Sequence, residues 1–206
     1  MRTEKIISGA IIALTMVSTG CDNSKNQQNK TEMEQVVTNV ALPTTDKWVK
    51  SPVRNRLVIE LNKSISEVWA LVGDPANMPK FSAGLDSVTT KTKNGKCTQY
   101  TCYFKPAKEG EPVYIHTDNM LWQEENKGWA SQTPEPNEMG YTEYLSLVTF
   151  EDINGKTKLT WSMTCNHEKP EMIEMNKQGL LKAFDDIGNQ LVSRFGGKVI
   201  ENYIEK

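Results

Sequence analysis

The segment YTEYLSLVTFEDINGKTKLTWSMTC, residues 141 to 165, leaves this chain the least freedom. Asn154-Gly155 sits between two runs rich in β-branched and aromatic residues, the pattern of a two-residue hairpin turn with both central residues at positive φ. Taking those two residues as the loop opposes Ile153 to Lys156 and fixes every other pair. Phe150 then faces Leu159, Val148 faces Trp161, Ser146 faces Met163 and Tyr144 faces Cys165. The other face pairs Glu151 with Lys158, Thr149 with Thr160 and Leu147 with Ser162. A slip of one residue would turn the apolar set outward and separate the opposite charges, so the register is strongly specified. The chain must build an antiparallel sheet with one face to bury.

Other segments extend that sheet. Asn94-Gly95 marks an earlier hairpin, Leu85 to Lys93 against Lys96 to Phe104, with less contrast between its faces and Lys93 opposed to Lys96. EPVYIHTDNMLW (111–122) and GWASQT (128–133) read as further strands. Arg56 to Leu61 alternates Leu57, Ile59 and Leu61 with Arg56, Val58 and Glu60, as a half-buried strand does. Two helical pieces follow it. Ser64 and Glu67 form a capping box, with Ile65, Val68, Trp69 and Val72 on one face. Gly73 then stops the helix, and Asp74-Pro75 restarts a short turn carrying Met78 and Phe81. The longest helix runs from Pro170 to about Phe195, its stripe formed by Ile173, Leu180, Phe184, Ile187, Leu191 and Phe195. Gly179 and Gly188 each weaken it by about 1 kcal/mol relative to Ala. Gly196-Gly197 predicts its end, with a short tail at 201–206.

The amino terminus follows different rules. Arg2 and Lys5 precede a twelve-residue apolar run, Ile6 to Val17, which is short for a membrane span and fits a secretory signal over residues 1–20. VSTGC (17–21) resembles a bacterial lipobox, with Ser18 where Leu is more usual. That resemblance implies a lipidated Cys21, and so an exported protein held to a bacterial membrane by its N-terminal lipid. From there to residue 50 the Asn, Gln, Lys, Thr and Glu composition reads as a flexible tether with a reach of roughly 30 Å. The folded domain is expected over 51–200. A formal net charge of −2 lacks the clustered Lys and Arg that nucleic acid requires. No CxxC, HExxH, Walker loop or dinucleotide glycine pattern occurs, so neither a metal nor another cofactor is expected. Cys97 and Cys102 lie too far apart along one strand to bridge, and free thiols are expected at Cys97, Cys102 and Cys165.

The order is thus one strand, two short helices, about six strands and one long helix. With VIELNKSISEVWALVGDPANMPKFSAGLDSV (58–88), it resembles the START/Bet v 1-like superfamily and, within it, polyketide cyclase/dehydrase-type SRPBCC domains. Val68-Trp69-Ala70-Leu71-Val72, Asp74, Asn77, Pro79, Phe81, Leu85 and Val88 hold the places of the family pattern. The resemblance implies an α+β helix-grip fold, in which a curved antiparallel sheet of about seven strands grips the C-terminal helix. It also implies a cavity between sheet and helix for a hydrophobic or amphipathic, lipid-like small molecule. The family shares no catalytic set, so none carries over.

Candidate lining residues are Tyr144, Phe150, Trp161 and Met163 on the hairpin with Leu180, Phe184 and Ile187 on the helix. Gln99 and Tyr100 could add a polar handle. His116 and Asp118 lie two apart on one strand and share a face, as an acid–base pair would. One register turns them inward with Tyr114, Met120 and Trp122. The other buries Val113, Ile115, Thr117 and Leu121, and this is the expected one, with His116 and Asp118 in water. His167 is expected in a loop or as a partner of the helix start. The resemblance and the residues together leave three functions open: ligand carriage, cyclase or dehydratase chemistry with a cavity His or Tyr, and a solid-cored interaction module with no protein partner specified.

Overall fold

The computed structural model describes residues 51–106, 108, 110 and 113–205. The expected signal over 1–20, lipidated Cys21 and tether to residue 50 lie outside them. The order is β1 (Val53–Leu61), α1 (Ile65–Val72), a 3-10 turn (Pro75–Lys80), β2 (Leu85–Lys93), β3 (Lys96–Phe104), β4 (Ile115–Glu124) and β5 (Gly128–Gln132). Then come β6 (Tyr141–Asp152), β7 (Thr157–His167), a second 3-10 turn (Pro170–Met172), α2 (Ile173–Phe195) and β8 (Gly197–Ile204). The strands form one sheet in the order β2-β3-β4-β5-β6-β7-β1-β8, and every neighbouring pair is antiparallel. This is the α+β helix-grip architecture, a curved sheet with a long C-terminal helix.

The β6–β7 hairpin holds the register its turn dictates from Ser146↔Met163 to Glu151↔Lys158. Asn154 and Gly155 sit at φ 61° and 79°, the left-handed pair such a turn needs. The pairing shifts between Thr142 and Leu145, around Glu143 at φ 53°, so the expected Tyr144–Cys165 pair lies inside a bulge. Further shifts occur in β1–β8, β2–β3 and β4–β5. Such bulges bend strands and sharpen twist, which is how an open sheet curls around a helix.

Short helices close one side of the curl. The capping box is present, with Ser64 Oγ accepting from the Glu67 N–H and Glu67 accepting from the Ser64 N–H. At the other end Trp129 Nε1 donates to Val72 O at 3.1 Å and Gln123 Nε2 donates to Gly73 O at 2.7 Å. Two carbonyls that a helix end leaves unpaired are thus satisfied by the sheet, which locks α1 to β4 and β5. Val68, Leu71 and Val72 are buried in the common core with Met78 and Phe81.

The helix α2 packs on β1 and β8. A Cβ at Gly188 would meet Val199 Cγ2 at 2.9 Å, so this glycine permits the close approach. Leu191, Ile187 and Phe184 are buried, whereas Met175, Gly179 and Ala183 nearer the N-terminus are exposed. The helix is gripped over its second half and arches away over its first.

The eighth strand is the element the sequence did not announce. Gly196-Gly197 does end α2, but the chain then pairs with β1, and Asn202 Nδ2 donates to Leu181 O and Asp185 Oδ1. None of its eight residues is fully buried, and Lys198, Glu201 and Asn202 lie along it, as suits an edge strand. Cys97, Cys102 and Cys165 are free thiols. Among the described residues, no helix is long and apolar enough to cross a membrane.

Candidate functional site

Where α2 arches off the sheet a cavity of about 350 Å³ remains. Its floor is the concave face of β3, β4, β6 and β7, its roof the N-terminal half of α2, and one end is closed by Met78 and Phe81 from the helix pair. Met175, Gly179 and Ala183 are both exposed and part of the lining, and so mark its mouth. No atom lies within 4 Å of where a Gly179 Cβ would stand.

Six of the seven residues expected to line such a space do so: Tyr144, Trp161, Met163, Leu180, Phe184 and Ile187. Phe150 does not. It lies further along β6 and packs edge-on against Trp69 of α1, ring centroids 5.4 Å apart, as part of the solid core under the helix pair. Its face was right, but the cavity does not extend to its end of the strand. Tyr100 joins the lining, while Gln99 points to the other face and donates to Asn119.

The expectation for β4 is reversed. His116 and Asp118 point inward and are buried, and Val113 and Leu121, expected inside, are half exposed. Ile115 and Thr117 are only partly buried. The pairing explains this: His116 stands opposite Cys102 and Asp118 opposite Tyr100, so all four share the concave face. Tyr114 and Trp122 do not follow, Tyr114 being exposed at the strand's start and Trp122 lying past a register shift.

Burying a carboxylate is tolerable only if its lone pairs are filled, and neighbouring strands fill them. Tyr100 Oη donates to Asp118 Oδ2 at 2.6 Å, and Ser131 Oγ lies 2.8 Å from Tyr100 Oη. Thr133 Oγ1 donates to Asp118 Oδ1 at 2.6 Å, and His116 Nε2 lies 3.0 Å from the same oxygen. Burial pushes the Asp118 carboxyl up, but the His116 charge beside it and the bonds from His116, Thr133 and Tyr100 outweigh that, leaving it below its ordinary value. Burial and the Asp118 charge push Tyr100 well above the usual phenol range. Since Thr133 gives its only proton to Asp118, His116 Nε2 must carry a proton itself. His116 Nδ1 is buried and has no partner in the protein.

Ser131, Thr133 and Asn176 were missed. Trp129, Ser131 and Thr133 alternate along GWASQT, so the period-2 rule applied there would have put both hydroxyls on the buried Trp129 face. Asn176 is a polar interruption in the apolar stripe of α2, three residues after Ile173 and four before Leu180. It lines the cavity, and its Nδ2 is buried without a partner. His167 ends β7, where its Nδ1 accepts from the Lys169 N–H at 2.9 Å and orders the approach to α2, outside the cavity. Among the described residues, no three His, Cys, Asp or Glu side chains cluster as a metal site would need. The arrangement can hold an apolar molecule against aromatic and thioether groups, with one polar cluster in the sheet wall.

Solved structures share this architecture. A START superfamily protein from Mycobacterium smegmatis is 13% identical with a TM-score of 0.56, covering 69% of this chain and 97% of its own. The protein XoxI from Bacillus cereus is 16% identical with a TM-score of 0.54, covering 69% and 94%. A protein from Chromobacterium violaceum is 12% identical with a TM-score of 0.52, covering 71% and 99%. Identities this low speak to the fold alone. No curated protein matches the chain. Residues 52–191, from the start of β1 into the last turns of α2, match the polyketide cyclase/dehydrase and lipid transport family, and the chain belongs to it.

Proposed function

We propose that this protein binds a hydrophobic or amphipathic small molecule between the sheet and α2, while a lipid on Cys21 holds it to a bacterial membrane on the periplasmic or surface side. One observation carries the binding reading: a 350 Å³ space, lined mostly by aromatic, aliphatic and Met side chains, with few polar groups, most of them in the sheet wall. That is the composition of a small-molecule pocket, where apolar contact supplies affinity and a few polar atoms orient the ligand. The family name, which includes lipid transport, supports the same class of ligand. The anchor rests on the VSTGC sequence and the apolar run before it.

Purifying the full chain from its membrane and extracting it under denaturing conditions tests the binding. A discrete apolar species at near-equal stoichiometry is the expected result. A clean extract, together with failure to take up apolar probes, would refute it. For the anchor, metabolic labelling with an alkynyl fatty acid should mark the wild type and not Cys21→Ala, which should leave the membrane fraction.

The buried His116–Asp118 pair favours a second reading, acid–base chemistry on the bound molecule, because a carboxylate that fixes an imidazole's tautomer is what a general base needs. Turnover of the extracted molecule that is lost in His116→Gln would establish it.

A further inference from the structure

The sheet is open, and β8 is one of its two edges. It lies beyond residues 52–191, the span that matches the family, so this edge is a feature of the individual chain. The other edge, β2, carries Lys91 and Lys93 and shifts register twice against β3, which are the usual guards against strand addition. β8 also carries charge and one shift, but these fit a copy of itself. It holds no proline, and its Ile200 and Tyr203 are exposed. The Glu205 N–H donates to Arg54 O at 2.7 Å, so the alternation of an antiparallel ladder aims the N–H and C=O of Ile204 and Asn202 away from β1. Among the described residues no strand lies on that side.

The pairing of β8 with β1 shifts between Val58 and Ile59, which leaves Ile200 as an extra residue. That residue sets which antiparallel pairing with a second β8 is regular. With the two-fold axis at Asn202, Tyr203 stands opposite Glu201, Ile204 opposite Val199 and Glu205 opposite Lys198, and Ile200 bulges from each strand. Opposite charges then meet at both ends and apolar side chains meet between them. Moving the axis one residue either way sets Glu201 opposite Glu201 or opposite Glu205, so charge selects a single register. Glu205 keeps its contact with Arg54 of its own chain at 3.4 Å, since a carboxylate accepts from more than one donor.

We propose that β8 pairs antiparallel with β8 of a second copy of this chain, Lys198 of each facing Glu205 of the other, so that two sheets continue as one.

Light scattering of the full chain in detergent, with the detergent's share subtracted, counts chains per particle across a concentration series. The wild type should pass from one chain to two. Lys198→Glu sets Glu against Glu at both ends of the interface, and Glu205→Lys sets Lys against Lys. Each should raise the dissociation constant of the dimer at least about tenfold. An equimolar mixture of the two variants restores both opposite-charge pairs and should recover the wild-type value. A wild type that stays single at every concentration would overturn the proposal. So would a dimer that both variants leave at full strength, or a mixture that associates no more tightly than its components.

Discussion

His116 Nε2 stands 3.0 Å from Asp118 Oδ1, with both side chains buried on the concave face of β4. The two residues are neighbours on one strand, but the carboxylate is made tolerable by Tyr100 from β3, Ser131 from β5 and Thr133 just beyond it. Asp118→Ala should destabilise the domain by about 3–5 kcal/mol, because it leaves the buried donors of Tyr100, Thr133 and His116 without their acceptor. Urea denaturation of wild type and variant checks this.

The same carboxylate predicts an acid dependence. Its folded-state pKa lies below the ordinary value, so its stabilisation is complete above about pH 4, the unfolded value, and is lost as pH falls through the lower folded one. Urea midpoints should drop on acidification below about pH 4, and drop less steeply in Asp118→Asn, which cannot titrate there.

Alkaline titration should show the reverse sign. Burial holds Tyr100 and Tyr144 well above the usual phenol range and Tyr141 at about 12. These groups stabilise fully below about pH 10 and lose that contribution as pH rises toward their folded values. In an ultraviolet titration of the native chain, three of its six tyrosines should therefore stay protonated until the domain unfolds.

Two glycines of α2 should respond oppositely. Gly179 faces open space, so Gly179→Ala should raise stability by up to about 1 kcal/mol through helix propensity alone. At Gly188 a Cβ would press on Val199 at 2.9 Å, so Gly188→Ala should forfeit that gain by forcing helix and sheet apart. Thermal denaturation of both variants decides it.

Site and core should also separate. Ala183 is exposed at the mouth, so Ala183→Phe should block probe uptake with stability changed by less than about 0.5 kcal/mol. Phe150→Leu should cost about 1–2 kcal/mol through lost packing on Trp69 and leave uptake unchanged. Fluorescent-probe titration alongside urea denaturation measures both.

Local chemistry wrote much of this protein in advance. Asn154-Gly155 and alternating side chains set the β6–β7 register, Ser64 and Glu67 started α1, and a 3.6-residue stripe placed Phe184, Ile187 and Leu191 against the sheet. Each of these is a preference of adjacent residues, or of residues one turn or one hairpin apart, and so is legible without the fold. The facing of β4 was not, since a strand carrying Tyr114, His116 and Asp118 on one side and Val113, Ile115 and Leu121 on the other favours the apolar side until Tyr100, Ser131 and Thr133 arrive to satisfy the carboxylate. Nor was the end of the cavity legible between Tyr144 and Phe150, because it depends on where Trp69 reaches down from α1. The sequence by itself determined the elements other than β8, the β2–β3 and β6–β7 hairpins, and the buried apolar faces of β1, α1, α2 and the β6–β7 hairpin. Only the tertiary structure decided which polar side chains could be buried and where the packing stops, because both depend on partners from strands and helices distant in sequence.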